Sequence, residues 1–161
     1  MQPIYIGVGS NIGNRFQHIH NAAVELSKLP QTRLMDSAPV YETDPVGGPP
    51  QDKFLNTVWQ IDSELTPREL MQSLIKIEKK LGRVRGVKNG PRVIDLDILF
   101  YGGQYVQEED LQIPHPRLQD REFILKPLAD LNEDWEHPVL KKTIRTLLRE
   151  RLETNKINTP N

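Results

Sequence analysis

The chain has 161 residues, no cysteine, and a formal net charge of −1 from 21 Lys+Arg against 22 Asp+Glu. That length suits one domain, expected over residues 1–161, with a single good core, and the missing cysteines exclude a disulfide framework and thiolate chemistry. The near-neutral balance argues against a general nucleic-acid binder, whose nonspecific affinity is electrostatic, and no apolar run approaches a membrane span. With no basic segment followed by a long apolar one at the start, a cytoplasmic protein without a signal peptide is expected.

Ile4 to Gly9 reads as a buried strand opening into the glycine-rich turn Gly9-Ser10-Asn11-Ile12-Gly13-Asn14. The spacing G-x-G-x-x-x-G does not fit a dinucleotide fingerprint, and no lysine follows to make a phosphate loop. A tight strand-to-helix turn with Ser10 and Asn11 capping helix donors is the simpler expectation. Phe16, Ile19, Ala22, Ala23, Leu26 and Leu29 then recur at helical spacing until Pro30 stops the pattern. Leu34 to Tyr41 is a second strand, interrupted by Pro39, and Thr43 to Asp52 is a loop dense in turn formers. Phe54 to Ile61 alternates, with Leu55, Thr57, Trp59 and Ile61 on one face and Phe54, Asn56, Val58 and Gln60 on the other.

Thr66-Pro67-Arg68-Glu69 is a capping box with proline at the first helical position, and Leu70, Leu74, Ile77 and Leu81 stripe the helix up to Gly82. An arginine-rich loop leads into the strand of Asp95 and Asp97, which turns at Gly102-Gly103. Leu111-Gln112-Ile113 is a short strand, Pro114-His115-Pro116 a stiff loop, and Arg121 to Leu131 a short helix despite Pro127. Ile144, Leu147, Leu148 and Leu152 mark a C-terminal helix, with a frayed tail expected over 154–161. The order β-α-β-β-α-β predicts a ferredoxin-like α+β sandwich: one antiparallel sheet, helices on one face, and C-terminal additions.

The chemistry concentrates in Val93-Ile94-Asp95-Leu96-Asp97-Ile98-Leu99-Phe100-Tyr101. On a strand, Asp95 and Asp97 share one face with Cα atoms roughly 7 Å apart, a spacing that lets both converge on divalent cations. The competing reading is a strand end whose carboxylates face water. Asn89-Gly90-Pro91-Arg92 immediately before the pair favours the metal, because it sets a sharp turn and a guanidinium beside the carboxylates. Arg83, Arg85, Lys88 and Arg92 fall within ten positions without an acid among them. Guanidinium forks match phosphate oxygens and stay charged at cellular pH, so magnesium–polyphosphate chemistry is indicated. His115, held between two prolines, is either structural or functional. Phe54 and Asn56 share a face, a platform beside an amide that suits a flat heterocycle or, equally, an ordinary core position.

Taken in order, Gly9-Ser10-Asn11, Phe54-Leu55-Asn56, Glu78 with Gly82-Arg83-Val84-Arg85, Gly90-Pro91-Arg92-Val93-Ile94-Asp95-Leu96-Asp97, and Pro114-His115-Pro116 with Arg121-x-Phe123 form a pattern. It resembles the 6-hydroxymethyl-7,8-dihydropterin pyrophosphokinase family over roughly residues 4–131. The resemblance implies transfer of diphosphate from ATP to a pterin alcohol in folate biosynthesis, by a monomer. It also implies that Asp95 and Asp97 ligate two magnesium ions and that Arg83 and Arg92 contact the reacting phosphates. Glu78, Arg85, Ile98, His115 and Arg121 would serve ATP. Phe54 and Phe123 would sandwich the pterin, with Asn56 and the backbone near Thr43 and Val46 reading its edge. Two positions depart from the family pattern: Asn89, where many bacterial members carry an aromatic residue, and Pro116, where some carry tyrosine. The rival from another class is a noncatalytic ferredoxin-like module binding RNA on its sheet, against which the lack of RNA-recognition aromatics argues. The expected partners are therefore ATP and the pterin, with no nucleic acid and no membrane.

Overall fold

The structure, a computed structural model, describes residues 2–45, 48–83 and 90–158, with side chains described through Asn155. Seven strands and four α-helices run in the order β1 (Ile4–Ser10), α1 (Arg15–Ser27), β2 (Thr32–Ser37), β3 (Tyr41–Thr43), β4 (Phe54–Ser63), α2 (Pro67–Lys80), β5 (Asp95–Tyr101), β6 (Val106–Gln107), β7 (Gln112–Ile113), α3 (Glu122–Asn132) and α4 (Ile144–Asn158). The main sheet is antiparallel in the order β2-β4-β1-β5, and β3 pairs with the opposite end of β4. This is the expected ferredoxin-like arrangement.

Proline 39 explains why β2 and β3 are separate. It has no N–H for the ladder, and the chain bridges the gap through Ala38, whose N–H donates to Val58 O (2.9 Å) and whose carbonyl accepts from Thr57 Oγ1 (2.8 Å). Both pieces then pair β4, at Trp59–Ser63 and at Phe54–Asn56.

Alternation divides the sheet into two faces. Ile4, Ile6 and Val8 of β1, Leu55, Trp59 and Ile61 of β4, and Leu96 and Ile98 of β5 pack on Ile19, Ala22 and Leu26 of α1 and Leu70, Leu74 and Ile77 of α2. The expected capping box starts α2: Glu69 N–H donates to Thr66 Oγ1 (3.2 Å) and Thr66 N–H to Glu69 Oε1 (2.9 Å). Helix α1 corrects the expectation at its start. Asn14, not Ser10 or Asn11, is its N-cap, accepting from Gln17 N–H at 3.1 Å.

The two helices of the βαββαβ unit thus share one face, and the C-terminal additions go to the other. There α3 and α4 bury Ile124, Leu125, Leu128, Ile144 and Leu147 against Tyr5, Val58, Leu99 and Phe100. A bulge prepares that second face: Ile6 pairs Ile98 while Tyr5 pairs Phe100, so Leu99 is the extra residue. Leu99 and Phe100 therefore both point toward α3 and α4. Helix α4 continues beyond Glu153, where fraying is the expectation from sequence, to Asn158; Asn155 Nδ2 ties it to Glu122 Oε2 at 3.0 Å. The additions cover only the Tyr5–Phe100 end of their face. The other end stays open, and the polar residues lie there.

Candidate active site

Two cross-strand rows form the floor of the open end: Asn56–Gly9–Asp95, and Val58–Gly7–Asp97. Each aspartate therefore faces a glycine on the central strand, and the sheet surface beside both carboxylates carries no side chain. A Cβ on Gly9 would stand 3.0 Å from Asn56 Oδ1 and 3.6 Å from Phe54 Cδ1; one on Gly7 would stand 3.2 Å from Leu99 Cδ2. The sequence places Gly7 in the strand and Gly9 where the strand opens into a turn, without assigning either to a site. Their alternation, G-x-G inside an apolar run, is the signal of a smooth strand face that a ligand can approach.

Asp95 is gripped from both sides. Arg83 Nη1 donates to Oδ1 at 3.0 Å and Arg92 Nη1 to Oδ2 at 2.8 Å. Arg83 also donates to Glu78 Oε2, which accepts the Leu96 backbone N–H at 2.8 Å as well. Glu78 is buried, and burial raises its pKa while the Leu96 N–H and Arg83 oppose the rise. Its carboxylate holds β5 and Arg83 in place. Asp97 is the uncompensated group. Burial first, then the Asp95 and Glu78 charges, push its carboxyl up to about 8, and Arg83 and Arg92 only partly offset this. Around Asp97 the described carboxylates Asp95 and Glu78 outweigh the opposing Arg83 and Arg92.

Two clefts meet over this pair. The first, about 530 Å³, is lined by Thr43, Phe54, Asn56, Arg121 and Phe123 and by the glycine floor; the second, about 430 Å³, by Ile75, Glu78, Arg83, Ile98, Leu111 and Gln112. Arg92, Asp95, Asp97 and His115 line both. Asn56 is buried and donates from Nδ2 to Thr43 Oγ1, which fixes its amide toward the first cleft. The Arg121 guanidinium lies 5.7 Å from the centre of the Phe123 ring, a cation–π contact across the same cleft. Arg121, expected beside ATP, thus lines the cleft of Phe54 and Phe123 and not the second one. His115 donates its backbone N–H to Leu99 O (3.0 Å), and its Nδ1 accepts from Arg117 N–H (3.3 Å). Burial, then the Arg121 charge, lower its pKa to about 4, so the ring is neutral and carries its proton on Nε2. Arg85, Val46 and Asn89 lie outside the described residues.

Asn11 is a positioning residue that the sequence reading missed. Fully buried, it donates from Nδ2 to Gln51 Oε1 (2.8 Å) and Asp52 O (3.0 Å), and its Oδ1 accepts the Arg92 N–H (2.7 Å). Its own N–H donates to Arg92 O at 3.0 Å. One amide therefore ties the end of β1 to the loop before β4 and to the backbone of Arg92. The only local hint is a polar residue directly after an apolar strand.

The RNA-binding alternative finds one sheet face packed by α1 and α2 and the other partly covered by α3 and α4, and the part left open presents Asp95 and Asp97, whose charge repels a phosphate backbone. No group of three or more His, Asp or Glu side chains converges as a self-sufficient metal cage among the described residues. No helix among them is long and apolar enough to cross a membrane.

Fold and site together define a class, an antiparallel α+β sandwich that brings two ligand clefts to one arginine-braced carboxylate pair. The 7,8-dihydro-6-hydroxymethylpterin-pyrophosphokinase (HPPK) family model matches residues 5–133, and the chain belongs to that family. It is 41% identical over 138 residues to the 2-amino-4-hydroxy-6-hydroxymethyldihydropteridine pyrophosphokinase of Pseudomonas aeruginosa, covering 86% of this chain and 85% of that protein. It is 42% identical over 138 residues to the folic acid synthesis protein fol1 of Pneumocystis carinii, covering 86% of this chain but 18% of that protein. The chain spans about a fifth of the length of the folic acid synthesis proteins it matches. In fold it is similar to the crystal structure of Plasmodium falciparum HPPK-DHPS wild type with pterin and p-hydroxybenzoate, with a TM-score of 0.77 at 16% identity over 98% of this chain and 43% of that one.

Proposed function

We propose that this chain transfers diphosphate from ATP to the hydroxymethyl group of 6-hydroxymethyl-7,8-dihydropterin and releases AMP, a transferase step of folate biosynthesis. The observation that carries this reading is the junction of two clefts at Asp95, Asp97, Arg92 and His115. A two-substrate transfer needs donor and acceptor brought end to end, and this geometry supplies it. The first cleft suits the pterin: Phe54 and Phe123 offer ring faces, and the amide of Asn56, oriented by Thr43, offers an edge to read. The second cleft suits ATP, with Ile75, Ile98 and Leu111 on the apolar side and Arg83 beside the carboxylates.

The carboxylates fit magnesium. They lie on one strand face opposite two glycines, both oxygens of Asp95 already attract cationic partners, and Asp97 sits in excess negative charge. Magnesium characteristically takes one or two protein carboxylates and completes its shell with water and substrate phosphates. Asp95 and Asp97 would thus hold two ions. When bound, these neutralise the phosphates and lower the pKa of a coordinated hydroxyl. The chain's own residues do the rest. Arg92, held by Asn11 at its backbone, directs its guanidinium to the junction where phosphate charge shifts during transfer. Neutral His115 presents Nε2–H as a donor without adding a charge. The substrate hydroxyl oxygen bonds to the β-phosphorus, the bond from that phosphorus to the bridging oxygen of the α-phosphate breaks, and AMP leaves with the electron pair. The hydroxyl proton passes to solvent.

We further read the protein as a cytoplasmic monomer built as a single domain. The test is incubation with ATP, magnesium and the reduced pterin, with identification of the nucleotide product. AMP together with pterin diphosphate is expected; ADP, or no product, refutes the proposal.

A further inference from the structure

Cationic side chains are distributed unevenly between the two clefts. Arg83 lines the second cleft and Arg92 both, and each is committed to Asp95, Arg83 to Glu78 as well. Arg117 and Arg121 line the first cleft alone. Neither forms an ion pair among the described residues, although Asp120 stands on the same wall. Arg121 has the Phe123 ring as its neighbour. Arg117 is exposed and has no described side-chain partner, while its backbone N–H holds Nδ1 of His115, the residue shared by both clefts. Among the described residues lining the two clefts, the guanidiniums not already neutralised therefore stand on the acceptor side of the junction.

That placement is at odds with the incoming acceptor, which is a neutral alcohol and needs no cation. It matches the outgoing product, in which the same molecule carries a multiply charged diphosphate. We infer that Arg117 is a binding residue for the transferred diphosphate, engaging it on the acceptor side as product rather than holding ATP. The fork of a guanidinium suits two phosphate oxygens at once. The proximity of Arg117 to His115 supports this position at the junction, since its charge contributes to keeping that ring neutral. In the transfer the new O–Pβ bond forms on the first-cleft side and AMP retains the bridging oxygen on the second. The diphosphate thus ends nearer Arg117 than it began, and contact with Arg117 strengthens as the reaction proceeds.

The inference rests on the function proposed above, and its test separates the two. Dissociation constants of the unsubstituted protein, Arg117→Gln and Arg117→Lys are measured by calorimetry with magnesium for three probes: the pterin alcohol, the pterin diphosphate and a nonhydrolysable ATP analogue. Arg117→Gln is expected to weaken the diphosphate about tenfold, as loss of a charge-assisted contact implies, with the alcohol and the ATP analogue within about twofold. Arg117→Lys restores charge without the fork and should recover part of the loss. Pterin diphosphate binding within about twofold of the unsubstituted protein overturns the inference. Equal weakening of the ATP analogue and the diphosphate also overturns it, because Arg117 would then belong to the donor site. Failure of the unsubstituted protein to make pterin diphosphate would instead refute the underlying function.

Discussion

Asp97→Asn is expected to stabilise the metal-free protein, by a margin that grows as pH rises from about 4 to about 8. In the folded protein, burial and the neighbouring Asp95 and Glu78 charges push the Asp97 carboxyl from 3.8 up to about 8. Its folded pKa lies above its unfolded one, so the folded state binds the extra proton between those values. The contribution to stability is therefore full below about pH 4 and is lost as pH rises through about 8. One pKa unit corresponds to about 1.4 kcal/mol, which sets a ceiling of roughly 5–6 kcal/mol for a shift of this size. Residual solvent access reduces what is measurable, and about 2 kcal/mol is a reasonable expectation. For a chain of this length that corresponds to a rise in Tm of roughly 4–8 °C. Thermal unfolding in a chelator, followed from pH 4.5 to 8.5, makes the comparison. The unsubstituted protein should lose stability across the range, Asp97→Asn should lose much less, and the two curves should converge at the acid end. Magnesium with an ATP analogue should then stabilise the unsubstituted protein far more than the variant. Equal Tm values at pH 8.5, or a constant offset at every pH, would refute the argument that an uncompensated carboxylate resides there.

Gly9→Ala should abolish or severely reduce pterin binding, because its Cβ would meet Asn56 Oδ1 at 3.0 Å and fill the site floor; calorimetry showing unchanged pterin affinity would contradict the floor assignment. Asn11→Ala removes a buried amide that makes three side-chain hydrogen bonds and should cost about 2–4 kcal/mol of stability, read from urea unfolding midpoints. Phe54→Ala or Phe123→Ala should weaken the pterin at least about tenfold, since stacking adds about 0.5–1.5 kcal/mol to the lost burial, while ATP-analogue affinity changes little. Arg92→Ala should lower the single-turnover rate far more than ATP affinity, as expected for a cation aimed at charge that moves in the transition state; a defect confined to ATP binding would make it a binding contact only.

The elements were legible wherever a local rule decides them. Thr66 and Glu69 bracket the start of α2, Pro39 divides the edge strand, and the alternation of β4 separates Asn56 from Leu55. What was not legible depends on partners far away in sequence. The striping of α3 and α4 requires that they bury one side but does not say on which face of the sheet. The bulge at Leu99 is hidden because Leu99 and Phe100 are apolar in either register. The carboxylate pair and its arginines could be read from the sequence because their residue types sit oddly among apolar neighbours. The role of Asn11 could not, since its partners are Gln51, Asp52 and Arg92. Nor could the role of Gly7 and Gly9 as a site floor, since nothing nearby in the sequence indicates that the residues opposite them are Asp97 and Asp95.

Those two glycines also explain how a thin sheet serves as core and site at once. On one face β1 contributes Ile4, Ile6 and Val8 to the packing with α1 and α2, a continuous apolar row that rigidifies the strand. On the other face the same strand contributes Tyr5 to the C-terminal core and then no side chain at positions 7 and 9. Glycine inside a strand costs roughly 0.5–1 kcal/mol each through backbone entropy, and the uncompensated carboxylate adds to that cost. Neither expense helps the chain fold. Both become intelligible if the floor must admit a flat ring beside Asn56 and place its reacting group over Asp95 and Asp97. Arg83 and Arg92 hold Asp95 through hydrogen bonds from opposite sides, so a cation bound there would compete with both guanidiniums for its oxygens. Local instability in the metal-free site is thus the physical counterpart of selectivity for a charged, metal-bound ligand.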